Sequence, residues 1–256
     1  MARTVQLFIP CFVNAFFPAV GIAAVEILEQ LGYRVIYSTD QTCCGQPAFN
    51  SGYTKEAKFL ATRAIKRLRT ADYIVAPSGS CIAMLTRYYG TLPLTRNERR
   101  EWNTCKDRFY EITCFITRIA EIDHWGGIFP HTVTFHDACH TLRELGIRDE
   151  PRQLLSSIQQ LQLIEAPHAD RCCGFGGTFS VKFPELSTAI LETKVAGIRQ
   201  TQAEFVVSTD SSCLMHIAGY LKKQGHPIKT RHLVEVLWQA WKNDATPPIG
   251  PGTSIP

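Results

Sequence analysis

Ala71-Asp72-Tyr73-Ile74-Val75 reads as the approach to a short apolar strand, and the chain runs from it into Ser80-Cys81. The same stretch occurs again as Ala203-Glu204-Phe205-Val206-Val207, running into Ser212-Cys213. These two cysteines are 132 residues apart. Outward from them, Cys43-Cys44-Gly45 and Cys172-Cys173-Gly174 are separated by 129 residues, and Cys11 and Cys139 by 128. Four matched cysteines with matched flanks identify an internal duplication.

The elements around the cysteines recur in the same order. In the first half, residues 5–9 form an apolar-rich strand ending at Pro10-Cys11, and 18–31 carry Val20, Ala24, Ile27, Leu28 and Leu31 at helical spacing. Gly32 supplies the stop. Residues 34–37 read as a second strand leading to Cys43-Cys44-Gly45, 55–69 as a helix with a basic outer face, and 73–76 as a third strand followed by a helix. In the second half, 133–135, 161–164 and 205–207 take the strand roles, and 185–200 repeats the middle helix. Residues 110–121 and 231–241 read as helices that close each half, with Cys114 opposite His232.

Strands alternating with helices predict an α/β fold: two pseudo-symmetric repeats, each a βαβ-type unit with a small parallel sheet flanked by helices. The expected domains are 1–125 and 131–242, joined near 124–130, where Gly126-Gly127 and Pro130 interrupt the pattern. A tail at 243–256, rich in Pro and Gly, reads as disordered. In parallel sheets ligands bind beyond the carboxyl ends of the strands. Every repeated cysteine follows such an end, so three loops remote in sequence deliver four thiols to one place in each half.

The chain has 256 residues, 45% hydrophobic and 20% charged, with 27 basic against 23 acidic side chains for a formal charge of +4. That suits a globular protein and is too mild, with no basic run, to argue for nucleic acid. No apolar stretch reaches the roughly 20 residues of a membrane-spanning helix. Pro10 and Asn14 break the run that would otherwise resemble a secretory signal, so a cytoplasmic location is expected. Ten cysteines in an α/β chain of this size point to metal or redox chemistry rather than a disulfide framework.

Thiolates select zinc or iron–sulfur clusters. The compact Cys-x₂₋₄-Cys knuckles of structural zinc sites are missing here. Adjacent cysteines diverge and can hold different irons of one larger cluster. Gly45 and Gly174 let backbone pass close by, and Gly176-Gly177 can supply N–H donors to cluster sulfides. Cys105 and Cys114 lie outside the two sets and read as structural.

The pattern Cys11-x31-Cys43-Cys44-Gly45-x35-Cys81, repeated as Cys139-x32-Cys172-Cys173-Gly174-x38-Cys213, resembles the cysteine-rich CCG domain found in heterodisulfide reductase, the glycolate oxidase iron–sulfur subunit and anaerobic glycerol-3-phosphate dehydrogenase. Its short stand-alone members, the lactate utilization A proteins, are the nearest in character. Gln41-Thr42-Cys43-Cys44-Gly45-Gln46-Pro47-Ala48, Pro77-Ser78-Gly79-Ser80-Cys81 and His136-Asp137-Ala138-Cys139-His140 carry the likeness. Two departures stand out. The family motif ends Cys-x-x-Cys, but Ser78 and Asp210 occupy its first position, leaving four thiols in each set. The ferredoxin-type segment of the longer relatives is missing as well.

The resemblance implies an iron–sulfur redox subunit of an oxidoreductase complex that oxidises L-lactate to pyruvate. Up to two clusters would be bound, [4Fe–4S] in type, with Ser78 or Asp210 as a candidate oxygen ligand and zinc in one half as the other candidate. The implied partners are a ferredoxin-like iron–sulfur subunit and a third small protein. Oxidising a 2-hydroxy acid needs a base and a cation for the carboxylate. Around Cys139, His140 is the candidate base, Arg143 a bidentate carboxylate clamp, and His136 a further catalytic candidate. The other reading has Asp137 capping the next helix and the histidines donating to cluster sulfurs or backbone. Two different functions also remain open: an electron-transfer or scaffold subunit without a substrate site, and a thiol–disulfide reductase subunit acting at a cluster.

Overall fold

The computed structural model describes residues 3–68 and 70–244. Its first elements are β1 (Thr4–Leu7), α1 (Cys11–Phe16), α2 (Pro18–Gln30), β2 (Arg34–Ile36), α3 (Gln46–Asn50), α4 (Thr54–Leu68), β3 (Tyr73–Ala76), α5 (Gly79–Thr86), α6 (Arg96–Cys105) and β4 (Phe109–Glu111). A short helix α7 (Ile112–Cys114) widens into a π-type turn at Phe115–Ile119. There follow β5 (Thr132–Phe135), α8 (Asp149–Ser156), β6 (Gln162–Leu163), α9 (Phe179–Lys182), α10 (Pro184–Gln200), β7 (Phe205–Ser208), α11 (Ser211–Lys223), β8 (Lys229–His232) and α12 (Leu233–Asp244).

The strands form two four-stranded sheets, β2-β1-β3-β4 and β6-β5-β7-β8, parallel throughout. Register obeys the duplication: Val5 faces Val35 and Tyr73, and Val133 faces Leu163 and Phe205. Parallel strands need helical crossovers, which cover both faces and make central strands continuously apolar. Val5, Leu7, Ile74 and Val75 in one sheet, and Val133, Val206 and Val207 in the other, are fully buried accordingly. On α4, Ala57, Ala61, Ala64, Ile65 and Leu68 form the buried stripe, a helical period that leaves Lys55, Lys58 and Lys66 outside. Helix α2 stops at Gly32, whose φ of 82° lets Tyr33 N–H reach the Leu28 carbonyl (3.1 Å).

The expectation of an α/β repeat protein holds, with one strand more per half. The fourth strands, β4 and β8, lie where helices beginning at 110 and 231 are expected. Each is a short run whose last residue passes directly into a helix. The pairings Ile74–Phe109 and Val206–Thr230 set Glu111, not Cys114, opposite His232.

The chain divides into two compact units, Met1–Ile112 and Thr113–Pro256. The boundary expected near 124–130 falls instead inside the second unit. There Trp125 and Phe129 are buried, Trp125 donates from its indole to the Leu237 carbonyl (2.8 Å), and Ile128 N–H to Ala240 O (3.0 Å). Gly127, at φ 73°, passes so close to the Ala240 carbonyl that a Cβ would overlap it. Of the expected tail, Asn243 and Asp244 end α12, and 245–256 lie outside the described residues. Among the described residues no helix is long and apolar enough to cross a membrane.

Candidate metal centres

In each sheet the chain leaves the first strand toward one side and returns for the third on the other. The loops after those two strands therefore diverge and open a crevice. Cys11 opens α1 just beyond β1, Cys43-Cys44 end the long loop after β2, and Cys81 lies in the first turn of α5 after β3. Cys139, Cys172-Cys173 and Cys213 take the same stations after β5, β6 and β7.

The four sulfurs of each set form a chain of neighbours. Cys43 accepts hydrogen bonds from the thiols of Cys11 and Cys44, and Cys44 also reaches Cys81. In the second unit Cys172 accepts from Cys139 and Cys173, and Cys173 reaches Cys213. All ten cysteines are free thiols. The two inner sulfurs of each set are buried, Cys44 and Cys81 in one and Cys173 and Cys213 in the other. The outer ones are exposed (Cys11) or half-buried (Cys43, Cys139, Cys172), so each set runs from a buried inner pair to a more accessible outer pair.

The hydrogen bonds polarise the sets. Donation from Cys11 and then Cys44 lowers the Cys43 pKa to about 3. The Cys172 pKa falls to about 2, by donation from Cys139 and then Cys173. The donors shift up in return: Cys11 through its bond to Cys43 and burial, Cys139 through its bond to Cys172 and burial. Backbone N–H groups add to the effect, Gly45 donating to Cys43 Sγ (3.4 Å) and Gly174 to Cys172 Sγ (3.3 Å). These glycines sit at φ 91° and 83°, the left-handed conformation that favours glycine.

The loops are pinned differently in the two units. Ile9 N–H donates to Gln41 Oε1 (3.2 Å), and Gln41 Nε2 donates to the Ile9 carbonyl. In the matching place Asp137 N–H donates to the Ala169 carbonyl (3.2 Å), which also accepts from Lys194 Nζ (2.6 Å). Tyr89, fully buried, donates to the Cys44 carbonyl (2.9 Å).

Ser78 and Asp210 both act as helix N-caps. Ser78 Oγ accepts from Cys81 N–H (3.3 Å); Asp210 accepts from the Ser212 N–H (3.3 Å) and hydroxyl (2.7 Å). Asp137 is paired rather than capping: Arg152 grips it bidentately at 2.9 and 2.8 Å and reaches Glu165 at 2.6 Å. Arg143 is exposed and donates to the Asp170 carbonyl (3.2 Å), while His140, half-buried, begins a π-type turn at His140–Glu144. His136 is buried among the thiols: one ring nitrogen and the sulfurs of Cys173 and Cys213 all lie within 4.8 Å of one another. Burial, and then the Lys194 charge, lowers its pKa to about 3, so the imidazole is neutral.

Two cationic or basic neighbours of the second set escape the repeat argument. Lys194 is 2% exposed, with its pKa lowered to about 8 by burial. His216, one helical turn beyond Cys213, bonds Ser187 Oγ (3.1 Å). A signal existed for both: Lys194 interrupts the apolar stripe of Leu191, Val195 and Ile198, and His216 shares a helix face with Cys213.

Clustered free thiols with a buried imidazole form a soft donor set that fits zinc or an iron–sulfur cluster. The cysteine-rich domain family known as CCG matches at residues 5–86 and 133–218, the two segments that hold these sets. The chain belongs to the CCG family. Curated relatives of this CCG protein include lactate utilization protein A of Exiguobacterium sp., 45% identical over 238 residues that cover 91% of this chain and 96% of that one. Lactate utilization protein A of a Geobacillus sp. is 42% identical over 237 residues, covering 91% and 98%. Among solved structures, a hypothetical protein from Helicobacter pylori aligns with a TM-score of 0.63 at 10% identity. It covers 93% of the CCG chain, which spans about half (49%) of that structure, and supports the fold alone.

Proposed function

We propose that this chain is the cluster-bearing redox subunit of a cytoplasmic complex that oxidises L-lactate to pyruvate. The carrying observation is the convergence of Cys11, Cys43, Cys44 and Cys81, and of Cys139, Cys172, Cys173 and Cys213, each as free thiols in one pocket. Likeness to lactate utilization protein A over most of both chains supplies the substrate class. A bound iron–sulfur cluster supplies reversible electron transfer. The buried pair in each set, Cys44 with Cys81 and Cys173 with Cys213, and the more accessible pair, Cys11 with Cys43 and Cys139 with Cys172, would hold the group. Ser78 and Asp210 keep the helix behind the last cysteine in place. The partners are a ferredoxin-like iron–sulfur subunit and a third small protein, which take the two electrons that lactate releases with two protons.

A second reading, an electron-transfer subunit without a substrate site, is favoured by one observation. The side chain expected to clamp the substrate carboxylate, Arg143, donates instead to the Asp170 carbonyl (3.2 Å).

The test is anaerobic purification with iron, sulfide and zinc counting, followed by EPR with and without L-lactate and the partner subunits. About four irons per loaded pocket, bleached by lactate when the partners are present, is the expected result. Zinc without iron or sulfide would refute the redox reading. Bleaching by lactate that is insensitive to His140→Ala and Arg143→Ala would select the electron-transfer reading.

A further inference from the structure

The largest chemical difference between the two centres is His136. Its backbone extends β5 beyond Phe135: the N–H donates to Val207 O (2.8 Å) and the carbonyl accepts from Ser208 Oγ (2.9 Å). The ring lies beside the sulfurs of Cys173 and Cys213. It is 1% exposed, and neither nitrogen has a hydrogen-bond partner among the described residues. An unsatisfied buried polar group is destabilising, and native interiors leave few of them. The 4.8 Å limit on the separations among this nitrogen and the sulfurs of Cys173 and Cys213 suits two or three bonds to one metal, each roughly 2.0–2.3 Å long.

The first unit offers no counterpart. At the same distance before its first cysteine stands Phe8, equally buried at 1% and without a donor atom. His216, one helical turn beyond Cys213, is already engaged: its ring bonds Ser187 Oγ (3.1 Å) and packs on Phe175. The unpartnered imidazole is the one aimed at the sulfurs.

We infer, on the reading that both pockets carry iron–sulfur centres, that His136 is a nitrogen ligand to the metal held by Cys173 and Cys213. The second centre then has a mixed sulfur–nitrogen set and the first an all-sulfur one. A neutral imidazole adds no negative charge, and histidine ligation of iron–sulfur centres goes with more positive potentials. The second centre is the higher-potential member of the pair.

The test uses the full chain carrying Cys44→Ser and Cys81→Ser, so that only the second pocket loads, purified anaerobically with and without ¹⁵N-histidine. Iron and sulfide are counted first; a sample holding neither overturns the cluster reading and the ligand with it. On loaded protein, pulsed EPR of the paramagnetic state and iron-edge EXAFS are recorded. A nitrogen coupling that changes with ¹⁵N-histidine is expected, together with a nitrogen neighbour of iron. Both should be lost in His136→Phe, the residue of the first unit, and kept in His216→Met. A loaded centre with neither signal would overturn the assignment, as would signals that persist in His136→Phe. Because both spectra are first taken with His136 intact, the test stays decisive even where His136→Phe folds poorly.

Discussion

Replacing Gly174 by alanine should damage the protein far more than the same change at Gly45, although the two glycines are repeats of one another. Both lie in the left-handed region, at φ 83° and 91°, where an alanine costs about 1–2 kcal/mol. The surroundings then separate them. A Cβ on Gly174 would stand 2.5 Å from the Ser187 carbonyl oxygen and 3.2 Å from Ile190 Cβ, so α10 must move. A Cβ on Gly45 would meet Ala57 O at 3.4 Å and Leu60 Cβ at 3.5 Å, ordinary contact. Overpacking against backbone adds about 1–3 kcal/mol. The expected losses are therefore about 1–2 kcal/mol for Gly45→Ala and about 2–5 kcal/mol for Gly174→Ala. Displacing α10 also disturbs Ser187, whose hydroxyl donates to the Gly174 carbonyl (2.8 Å). Metal content of the second pocket should fall along with stability. Urea unfolding of both variants, with iron per chain on the same preparations, measures this. Equal destabilisation, or a Gly174→Ala protein within about 1 kcal/mol of the parent, would refute the packing argument.

Three further outcomes follow from other parts of the structure. Arg152→Ala leaves the carboxylate of Asp137, 4% exposed, buried without its partner, and should cost about 3–5 kcal/mol in urea unfolding, whereas Glu165→Gln, at an exposed position, should cost under about 1. In metal-free protein at neutral pH, Cys43 and Cys172 are thiolates, so brief iodoacetamide treatment should mark them ahead of the more exposed Cys11, as read by peptide mass spectrometry. At the start of α6, Thr95 and Glu98 form a reciprocal cap, and the Glu98 pKa is lowered from 4.5 to about 2, chiefly by the Thr95 N–H. The unfolded chain takes up that proton first, so the carboxylate's contribution is present above about pH 4.5 and fades toward pH 2. Glu98→Ala should cost about 1 kcal/mol at neutral pH, and less when the urea titration is repeated at pH 3.

The repeat made the cysteine stations legible, because a sulfur after each strand is a feature that chain order and sheet geometry jointly fix. Val5 and Tyr73, with their counterparts Val133 and Phe205, could be aligned from sequence and keep that alignment in the sheets. What failed was local. Lys229-Thr230-Arg231-His232 has no apolar run, so pairing with β7 rather than propensity makes it a strand. Gly126-Gly127 looked like a chain break, yet Gly127 is small because a helix backbone passes against it, and Trp125 beside it should have signalled burial. Asp137 had the right spacing for a cap, but its partner, Arg152, is 15 residues on and becomes visible only in three dimensions. Lys194 shows the converse. A charge in an apolar stripe was legible as an anomaly, though not its destination on the Ala169 carbonyl.

The outermost strands of both sheets are brief: β2 spans three residues and β6 two, while β8 carries Lys229 and Arg231. A margin so short, or so charged, offers a foreign strand little to hydrogen-bond with, which protects the protein from lateral growth into aggregates. It also bars recruitment by strand addition. The loops carrying Cys11, Cys43, Cys139 and Cys172 do reach solvent, so in the proposed redox role a partner docking there would find recognition and electron delivery on the same few loops.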